Sequence, residues 1–429
     1  MLRIARTSAA RALRARLGTV QPQRRGAFTL RNIAPGGSEW RTPIVALVLG
    51  IGIATVGFTG YSMYFGAGSA YPSEVRTLLR EAGMAYLRPA AKQDLPKAAD
   101  CYARALGLLD ELGASDPEYA RDAPHVTGLV ARLAAVYSDM GDLDRTIDTY
   151  QDLLQRILGD AGMREPKLLV ARLVDPALPA GERENILRAL GCANMLAETY
   201  EARASRAQRR RAAVLPGVRR APSPDADEAS RWYQWCLQLV MLTYQNHANH
   251  LRIAEGKPPA AVPSFDPATL PRFFSVDIVT SLFYNAATFF AGHGQAELAA
   301  PLLQRALDLL RRGADGNETS VCRSCVLMSH LVNAAVVTGD HAGAEQWAIE
   351  ALALAKQFPR NAECINSFLA LTYDLGAVYE AAGRRDSARV QYRMALDAAR
   401  EFGDDDVAAL AAAALGRTPA QQQKQQQKQ

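Results

Sequence analysis

Apolar residues recur at helical spacing from residue 74 to about residue 415. Strand-like alternation of apolar and polar residues is scarce over the same stretch. An apolar residue at every third or fourth position gives a helix one stripe that it can bury against its neighbours. Gly141, Gly294 and Gly383 stand between the periodic stretches, where a turn would end one helix and precede the next. The pattern predicts an all-α region over residues 71–415.

A repeat runs through this region and is clearest in residues 369–402. There Gly376, Ala388 and Ala395 stand at the offsets of a tetratricopeptide repeat of about 34 residues. Small residues at these offsets let the first helix (A) and the second helix (B) of a repeat touch, and tyrosines such as Tyr392 fill the gaps beside them. The sequence therefore predicts a tetratricopeptide-repeat helical solenoid with a concave groove. The weaker copies lie at residues 127–160, 280–313 and 325–358, around Ala98, and, in split form, around Tyr200 and Tyr233.

Two inserts interrupt the repeats and a tail follows them. The first insert, near residues 205–228, contains six arginines and three prolines and is expected to be a basic exposed loop. Such a loop could touch anionic lipid or an acidic partner, or it could be solvated without a partner. The second insert, residues 256–273, is rich in proline and cannot be a continuous helix, so it is expected to cover the solenoid or to connect its parts flexibly. The Gln/Lys tail, residues 416–429, has low complexity and is expected to be disordered.

The N-terminal segment Met1–Phe28 contains seven arginines and no acidic residue, with Leu, Ile and Ala between the charges. This is the composition of a mitochondrial transit peptide. The alternative, a basic arm that binds nucleic acid, usually mixes Lys with Arg, whereas the first Lys of this chain is Lys92. Residues 1–28 are therefore expected to be a transit peptide.

An uncharged apolar run follows at residues 43–65. At about 1.5 Å per residue, a helix of this length spans the hydrocarbon core of a bilayer, so we predict one transmembrane helix. Ala46, Gly50 and Ala54 recur every four residues, which lets two membrane helices pack closely; alternatively, small residues are simply common in such helices. Arginines precede the run and Glu74 follows it, which predicts a single-pass protein of the mitochondrial inner membrane with its repeats in the intermembrane space.

The charge of the chain is unevenly distributed. Its formal net charge is +5, from 49 Lys and Arg against 44 Asp and Glu. Residues 1–41 hold nine of these bases and one acid, which leaves 40 bases against 43 acids in the rest of the chain. Because the basic excess belongs to the N-terminus, we predict no nucleic-acid partner. A hydrophobic fraction of 49% indicates a chain that can bury a core and excludes wholesale disorder.

Motifs of common catalytic sites are absent from the sequence, including phosphate-binding, dinucleotide-binding, zinc-protease and esterase motifs. His247 and His250 are one helical turn apart and could share a metal ion, but no further ligand stands nearby, so a polar helix end is the favoured interpretation. The sequence therefore predicts a protein that is not an enzyme and has no cofactor or metal site.

Cys322 and Cys325 form a lone CxxC pair near the start of a predicted repeat helix. A zinc site would need a second pair, and a thioredoxin-like redox site would need a βαβ unit around it. We therefore favour thiols that pack between helices, with a disulfide as the alternative in the intermembrane space.

A binding groove is the remaining candidate site. Amide and aromatic side chains on a rigid scaffold suit an extended or unfolded polypeptide, because they hydrogen-bond its backbone and contact its apolar side chains without requiring one sequence. The alternative is that these side chains pack against neighbouring helices. The groove residues predicted on the A helices are Tyr284, Asn285, His330, Asn333, Tyr373 and Asp374.

The layout of transit peptide, one membrane span and irregular repeats resembles the fungal tetratricopeptide adaptor of the mitochondrial inner-membrane i-AAA protease. The local likeness lies in AADCYARALGLLDELGASDPEYA, VARLAAVYSDMGDLDRTIDTYQDLL and LTYDLGAVYEAAGRRDSARVQYRMALDAAREFGDDD. The resemblance implies a non-catalytic protein that binds unfolded or misfolded polypeptides beside the inner membrane and delivers them to the i-AAA protease.

Two other functions fit the same layout. One is an assembly factor for a respiratory complex, which predicts the same location and fold. The other is a scaffold that tethers membrane complexes through Ala46, Gly50 and Ala54 and through the arginine-rich insert.

Overall fold

The computed structural model of the chain describes residues 71–88, 92–175, 177–214, 223–260, 265–313 and 317–417. These residues form α-helices and two short 3-10 helices, with no strand among them. The all-α prediction is therefore confirmed for this part of the chain. The expected transit peptide, the expected membrane helix with Ala46, Gly50 and Ala54, and the tail beyond Arg417 lie outside the described residues.

The described chain divides into two compact units. The N-terminal unit consists of residues 71–157 and 180–189, and the C-terminal unit of residues 158–179 and 190–417. The first boundary falls at a kink in one long helix, where Gly159 has a φ of 61°. A positive φ of this size is readily adopted by glycine, which has no Cβ atom.

The N-terminal unit is held together by buried apolar residues and by a polar cluster. Arg188 donates to the Thr127 hydroxyl at 2.6 Å and to Oδ1 of Asn185 at 2.9 Å, and Asn185 donates to the Asp122 carbonyl at 2.6 Å. These bonds tie the start of α6 to the start of α3 and provide partners for the buried Asn185 and Thr127 side chains. The helices of this unit are α1 (Ser73–Tyr86), α2 (Leu95–Leu112), α3 (Pro124–Asp139), most of α4 (Leu143–Arg164) and the start of α6 (Ala180–Val214).

The C-terminal unit contains the candidate site. Its helices from α8 onward pack in chain order, each against the next, and α10 also packs directly against α12. Large buried side chains such as Tyr233, Phe283 and Leu303 form its core. Besides the rest of α6, the unit has α5 (Lys167–Val174), α7 (Pro224–Ala254), α8 (Val276–Gly292), α9 (Ala296–Gly313), α10 (Glu318–Thr338), α11 (His341–Ala355), α12 (Ala362–Ala381), α13 (Arg385–Phe402) and α14 (Asp405–Leu415).

The helical repeat is longer than the sequence offsets predicted. The A helices α8, α10, α12 and α14 begin at Val276, Glu318, Ala362 and Asp405, which gives intervals of 42, 44 and 43 residues. The predicted frames of about 34 residues start at residues 280, 325 and 369, inside α8, α10 and α12. The additional residues include the first turns of each A helix, which the offsets of the small residues do not mark.

The A and B helices touch through small residues, as the offsets predicted. A Cβ atom added to Gly376 on α12 would lie 2.7 Å from the ring of Tyr392 on α13. Ala388 and Ala395 of α13 are buried beside this contact. The close approach of the buried Tyr392 ring to the backbone of α12 therefore requires glycine at position 376.

The arginine-rich insert differs from the expected loop. Helix α6 continues to Val214 and α7 begins at Pro224, so residues 205–214 and 224–228 are helical, and residues 215–222 lie outside the described residues. Their sequence, SRAQRRRAAV, is dominated by Ala, Arg and Gln, which are strong helix formers and extend α6 past the end of the repeat.

The described part of the proline-rich insert packs as a cover on the C-terminal unit. The ring of Phe265 stacks on Tyr244 with centroids 3.9 Å apart and meets Phe283 edge-on at 5.4 Å. The backbone N–H of Asp266 donates to the Tyr244 hydroxyl at 2.9 Å. Asn249 binds the Ala260 backbone through both its side-chain oxygen and its side-chain nitrogen. Of the two expected roles, the contacts support the cover.

The interpretation of the CxxC pair as two packed thiols is wrong for Cys322. This residue forms a disulfide with Cys364, 42 positions further along the chain, and so joins α10 to α12. Cys325 is a buried thiol, as predicted. The CxxC spacing pairs Cys322 with Cys325, which is close in sequence, whereas the packing of successive A helices brings Cys322 into contact with Cys364, which is distant in sequence.

One described helix has the length and composition of a membrane span. It is α10, Glu318–Thr338, with a mean hydropathy of 1.4 in its most apolar window. Half of that window is buried, and Cys325, Met328 and Val332 have no exposed surface. A core helix of a helical protein meets the same criteria.

Candidate polypeptide-binding face

The six predicted groove residues lie on three successive A helices of the C-terminal unit. Asn333 is exposed, and the other five are half-buried. Because α8, α10 and α12 are consecutive A helices, these side chains form one row, which we call the A-helix face. Its predicted members are Tyr284 and Asn285 on α8, His330 and Asn333 on α10, and Tyr373 and Asp374 on α12.

The predicted residues contact one another across helices. The Tyr284 hydroxyl lies 3.2 Å from Nε2 of His330, and the two rings meet edge-on with centroids 5.2 Å apart. Nδ2 of Asn333 donates to Oδ2 of Asp374 at 3.4 Å. The structure thus joins α8 to α10 and α10 to α12 through pairs of predicted site residues.

Helix α6 extends the row with two residues that the sequence analysis missed. Oε1 of Glu198 accepts from Nδ2 of Asn194 at 2.8 Å and from Nδ2 of Asn285 at 2.6 Å. Oδ1 of Asn194 is buried and accepts no hydrogen bond within the described part of the chain. The available signal was a polar pair four residues apart in an Ala- and Leu-rich helix, and the insert that splits this repeat obscured it.

A second cluster closes the row at its C-terminal end. The rings of Tyr373 and Tyr392 have centroids 5.3 Å apart, and the Tyr392 hydroxyl donates to Glu380 at 2.6 Å. Arg417 lies 3.4 Å from the other oxygen of Glu380. Burial raises the pKa of Tyr373, and burial followed by the Glu380 charge raises that of Tyr392, so both phenols stay protonated at neutral pH.

Apolar side chains are exposed on the same helices. Val337 is one turn beyond Asn333 on α10 and is 54% exposed. Ile278 lies two turns before Asn285 on α8, and Met195 adjoins Asn194 on α6; both are exposed. The face therefore alternates hydrogen-bonding groups with apolar contact surface.

The chemistry of the row favours binding over catalysis. Its groups are amides, carboxylates, phenols and one imidazole, and their contacts pair them with one another. Among the residues that the structure describes, no group of three or more His, Cys, Asp and Glu side chains is arranged to hold a metal ion. An amide that donates to a carboxylate of a neighbouring helix can donate instead to a C=O group of a polypeptide backbone. The carboxylate can then accept from a backbone N–H group.

Comparison with known proteins gives distant structural likenesses. No protein-family model matches the chain, and no curated protein matches it. A solved structure of BtubC (BKLC) from P. vanneervenii is 17% identical, with a TM-score of 0.43, and the match covers 72% of this chain and 92% of that one.

Two further solved structures are similar at comparable distance. A point variant of a putative kinesin light chain from Podosopora anserina, described as having nearly identical TPR-like repeats, is 13% identical with a TM-score of 0.38, and the match covers 64% of this chain and 94% of that one. A circular tandem repeat protein is 15% identical with a TM-score of 0.21, covering 82% of this chain and 76% of that one. At these TM-scores the likenesses carry no functional inference.

Proposed function

We propose that this chain is a non-catalytic adaptor that binds unfolded or misfolded polypeptides on its A-helix face and passes them to the mitochondrial inner-membrane i-AAA protease. The observation that carries the proposal is the continuous row of amide, carboxylate and aromatic side chains from Asn194 on α6 to Asp374 on α12. The resemblance of the repeats to the fungal adaptor of this protease supports the choice of partner.

The row suits an extended chain for a geometric reason. Helices that pack directly against each other, as α10 and α12 do, lie about 8–10 Å apart, which is close to the length of three residues of an extended polypeptide. A polypeptide that crosses the helices would therefore meet one amide-bearing position per helix. The exposed Val337 and Ile278 would contact its apolar side chains without selecting one sequence.

The proposed location rests on the N-terminal sequence. Residues 1–28 would direct the chain to mitochondria, and residues 43–65 would anchor it in the inner membrane with the repeats in the intermembrane space. In this arrangement the A-helix face would lie on the side of the membrane where the proposed protease partner would receive its substrates.

Co-purification from mitochondria tests the proposal. The tagged full chain would be isolated from gently solubilised membranes, as wild type, as Asn285→Ala/Asn333→Ala, and as the control Arg389→Ala/Arg393→Ala on the exposed side of α13. We expect the i-AAA protease with all three, and unfolded polypeptides with the wild type and the control but not with the face variant.

Other outcomes would favour other functions. Respiratory-chain subunits without the protease would identify an assembly factor. Membrane complexes retained equally by all three forms, with no polypeptide lost in the face variant, would identify a scaffold.

A further inference from the structure

We infer that Cys322 and Cys364 are oxidised while the chain folds, and that their disulfide is a permanent staple between two A helices of the binding face. The bond joins the second turn of α10 to the first turn of α12. It also assigns the repeats to a compartment that supplies disulfides, because structural disulfides form and persist where the environment is oxidising. The existence of the disulfide does not depend on the proposed function, whereas the effect of the disulfide on binding rests on that function.

Packing places the two cysteines together. Their Cα atoms are 4.8 Å apart, within the range that a disulfide spans. The side chain of Asn361 caps α12 and accepts from the backbone N–H of Cys364 at 3.3 Å, which fixes the start of that helix beside α10. The disulfide therefore joins α10 to the capped start of α12.

In the folded chain Cys325 is not the partner of Cys322. It is fully buried, and its thiol donates to the Ala351 carbonyl of α11 at 3.5 Å. Burial raises its pKa to about 11, so it is a poor source of the reactive thiolate. Redox-active CxxC pairs have the opposite properties, an accessible cysteine with a lowered pKa. The CxxC of this chain therefore combines one half of a structural disulfide with one inert thiol.

Burial determines when the bond can form. Neither Cys322 nor Cys364 has exposed surface in the folded chain, so a disulfide donor cannot reach them there. Oxidation must therefore occur while α10 and α12 come together, before their packing has closed over the two cysteines. The donor is a protein disulfide of the thiol–disulfide oxidoreductase class, and the chain must meet it before it has folded.

The disulfide of the donor is transferred to Cys322 and Cys364 in two exchange steps. One cysteine thiolate attacks the donor disulfide, which forms a mixed disulfide and releases one donor thiolate. The second cysteine thiolate attacks the mixed disulfide, forms the Cys322–Cys364 bond and releases the other donor thiolate. The chain loses two protons and two electrons, and the donor gains them as a dithiol.

The staple fixes the relative positions of two binding helices. His330 is eight residues beyond Cys322 on α10, and Tyr373 is nine residues beyond Cys364 on α12, distances of about 12–14 Å along a helix. The bond holds one end of the pair, and the Asn333–Asp374 hydrogen bond lies further along it. Without the disulfide, α10 and α12 could slide or separate, and the face would lose its spacing although every face residue was present.

Thiol mapping of the full chain tests the inference. Wild-type protein from mitochondria would be quenched in acid, denatured, alkylated without reductant and digested. We expect peptides joined through Cys322 and Cys364, and alkylation of the four other cysteines, Cys101, Cys192, Cys236 and Cys325. A Cys322–Cys325 pair or six alkylated thiols would overturn the inference. Fast reduction of the folded chain by dithiothreitol would overturn the permanent staple.

Matched variants test the consequence for binding. Cys322→Ser/Cys364→Ser is expected to bind a reduced, alkylated unfolded protein at least threefold more weakly, whereas Cys325→Ser is expected to bind it as the wild type does. Equal binding by the wild type and both variants would show that the disulfide does not set the spacing of the face. That result would not affect the thiol map. Failure of the wild type itself to bind would count against the proposed function and leave the disulfide standing. If the double variant does not fold, the wild-type thiol map remains decisive.

Discussion

The A–B interfaces and the A-helix face of the C-terminal unit are built from different kinds of residue on the same helices. Between α12 and α13, Gly376 and Ala395 lie against a neighbouring helix with almost no exposed surface. On the solvent side of α12, Asp374 is half-buried and accepts from an amide of α10. At each position the interface tolerates little change in side-chain size because a neighbouring helix packs directly against it, whereas the face borders solvent. Folding and binding can therefore be altered separately.

The largest effect is expected when the interface is overfilled. Gly376→Val would place new atoms against the buried ring of Tyr392, 2.7 Å from the position of its Cβ atom. We expect the free energy of unfolding to fall by about 1–3 kcal/mol, the usual cost of overpacking a core. Ala377→Val changes the next residue of α12, which is half-buried, and should cost at most about 0.7 kcal/mol, the difference in helix propensity.

Denaturant unfolding followed by circular dichroism would measure both variants. Equal destabilisation by the two substitutions would contradict the distinction between interface and face.

A smaller effect is expected where the two regions meet. Tyr392 belongs to the interface, and its hydroxyl donates to Glu380 at 2.6 Å. Tyr392→Phe keeps the ring against Gly376 but leaves the carboxylate without this donor, so we expect a loss of about 1 kcal/mol. Arg417 continues to pair with Glu380, which limits the cost.

Thermal unfolding of Tyr392→Phe, compared with that of the control variant Tyr373→Phe, would check this expectation. An unchanged melting temperature for Tyr392→Phe would show that the hydroxyl adds nothing to the packing of its ring.

On the face, binding should change more than stability. Asn333 is exposed, so Asn333→Ala should shift the free energy of unfolding by at most about 0.5 kcal/mol. Loss of one backbone hydrogen bond should weaken polypeptide binding about three- to tenfold. Fluorescence anisotropy with a labelled unfolded protein would measure the second effect on the same sample that gives the first. A variant that loses stability without losing affinity would assign Asn333 to the fold.

The smallest effect is expected at a contact outside both regions, between Glu345 of α11 and Arg384 at the start of α13. The hydrogen bond from Arg384 lowers the pKa of Glu345 below its usual value of 4.5. A carboxyl with a lowered pKa in the folded state stabilises the protein above its unfolded pKa, and that stability is lost as the pH falls through the folded value. Glu345→Gln should therefore lower the melting temperature slightly at neutral pH, and the difference should disappear as the pH falls through the lowered pKa of Glu345. A difference that persists in acid would contradict this origin.

The sequence predicted the interface more fully than the face. Gly376, Ala388 and Ala395 could be assigned because close helix contact limits those positions to small residues. The repeat length could not be obtained from them, because the first turns of each A helix pack through residues of ordinary size. These turns carry Cys322 and Cys364, whose pairing depends on the packing of α10 against α12.

The face was predicted only where the repeats are regular. Tyr284, Asn285, His330 and Asn333 were found because their helices follow the common offsets. Glu198 was missed because the insert after α6 separates the two helices of its repeat. Its hydrogen bond with Asn285 joins residues 87 positions apart, and such a contact leaves no local signal in a single sequence.

The most direct test of the binding claim is the affinity of the full chain, purified in detergent, for a labelled, permanently unfolded protein. We expect saturable binding by the wild type and by Arg389→Ala/Arg393→Ala, and binding at least tenfold weaker by Asn285→Ala/Asn333→Ala, with all three equally folded. Equal affinity of the three forms, or no binding by the wild type, would contradict it.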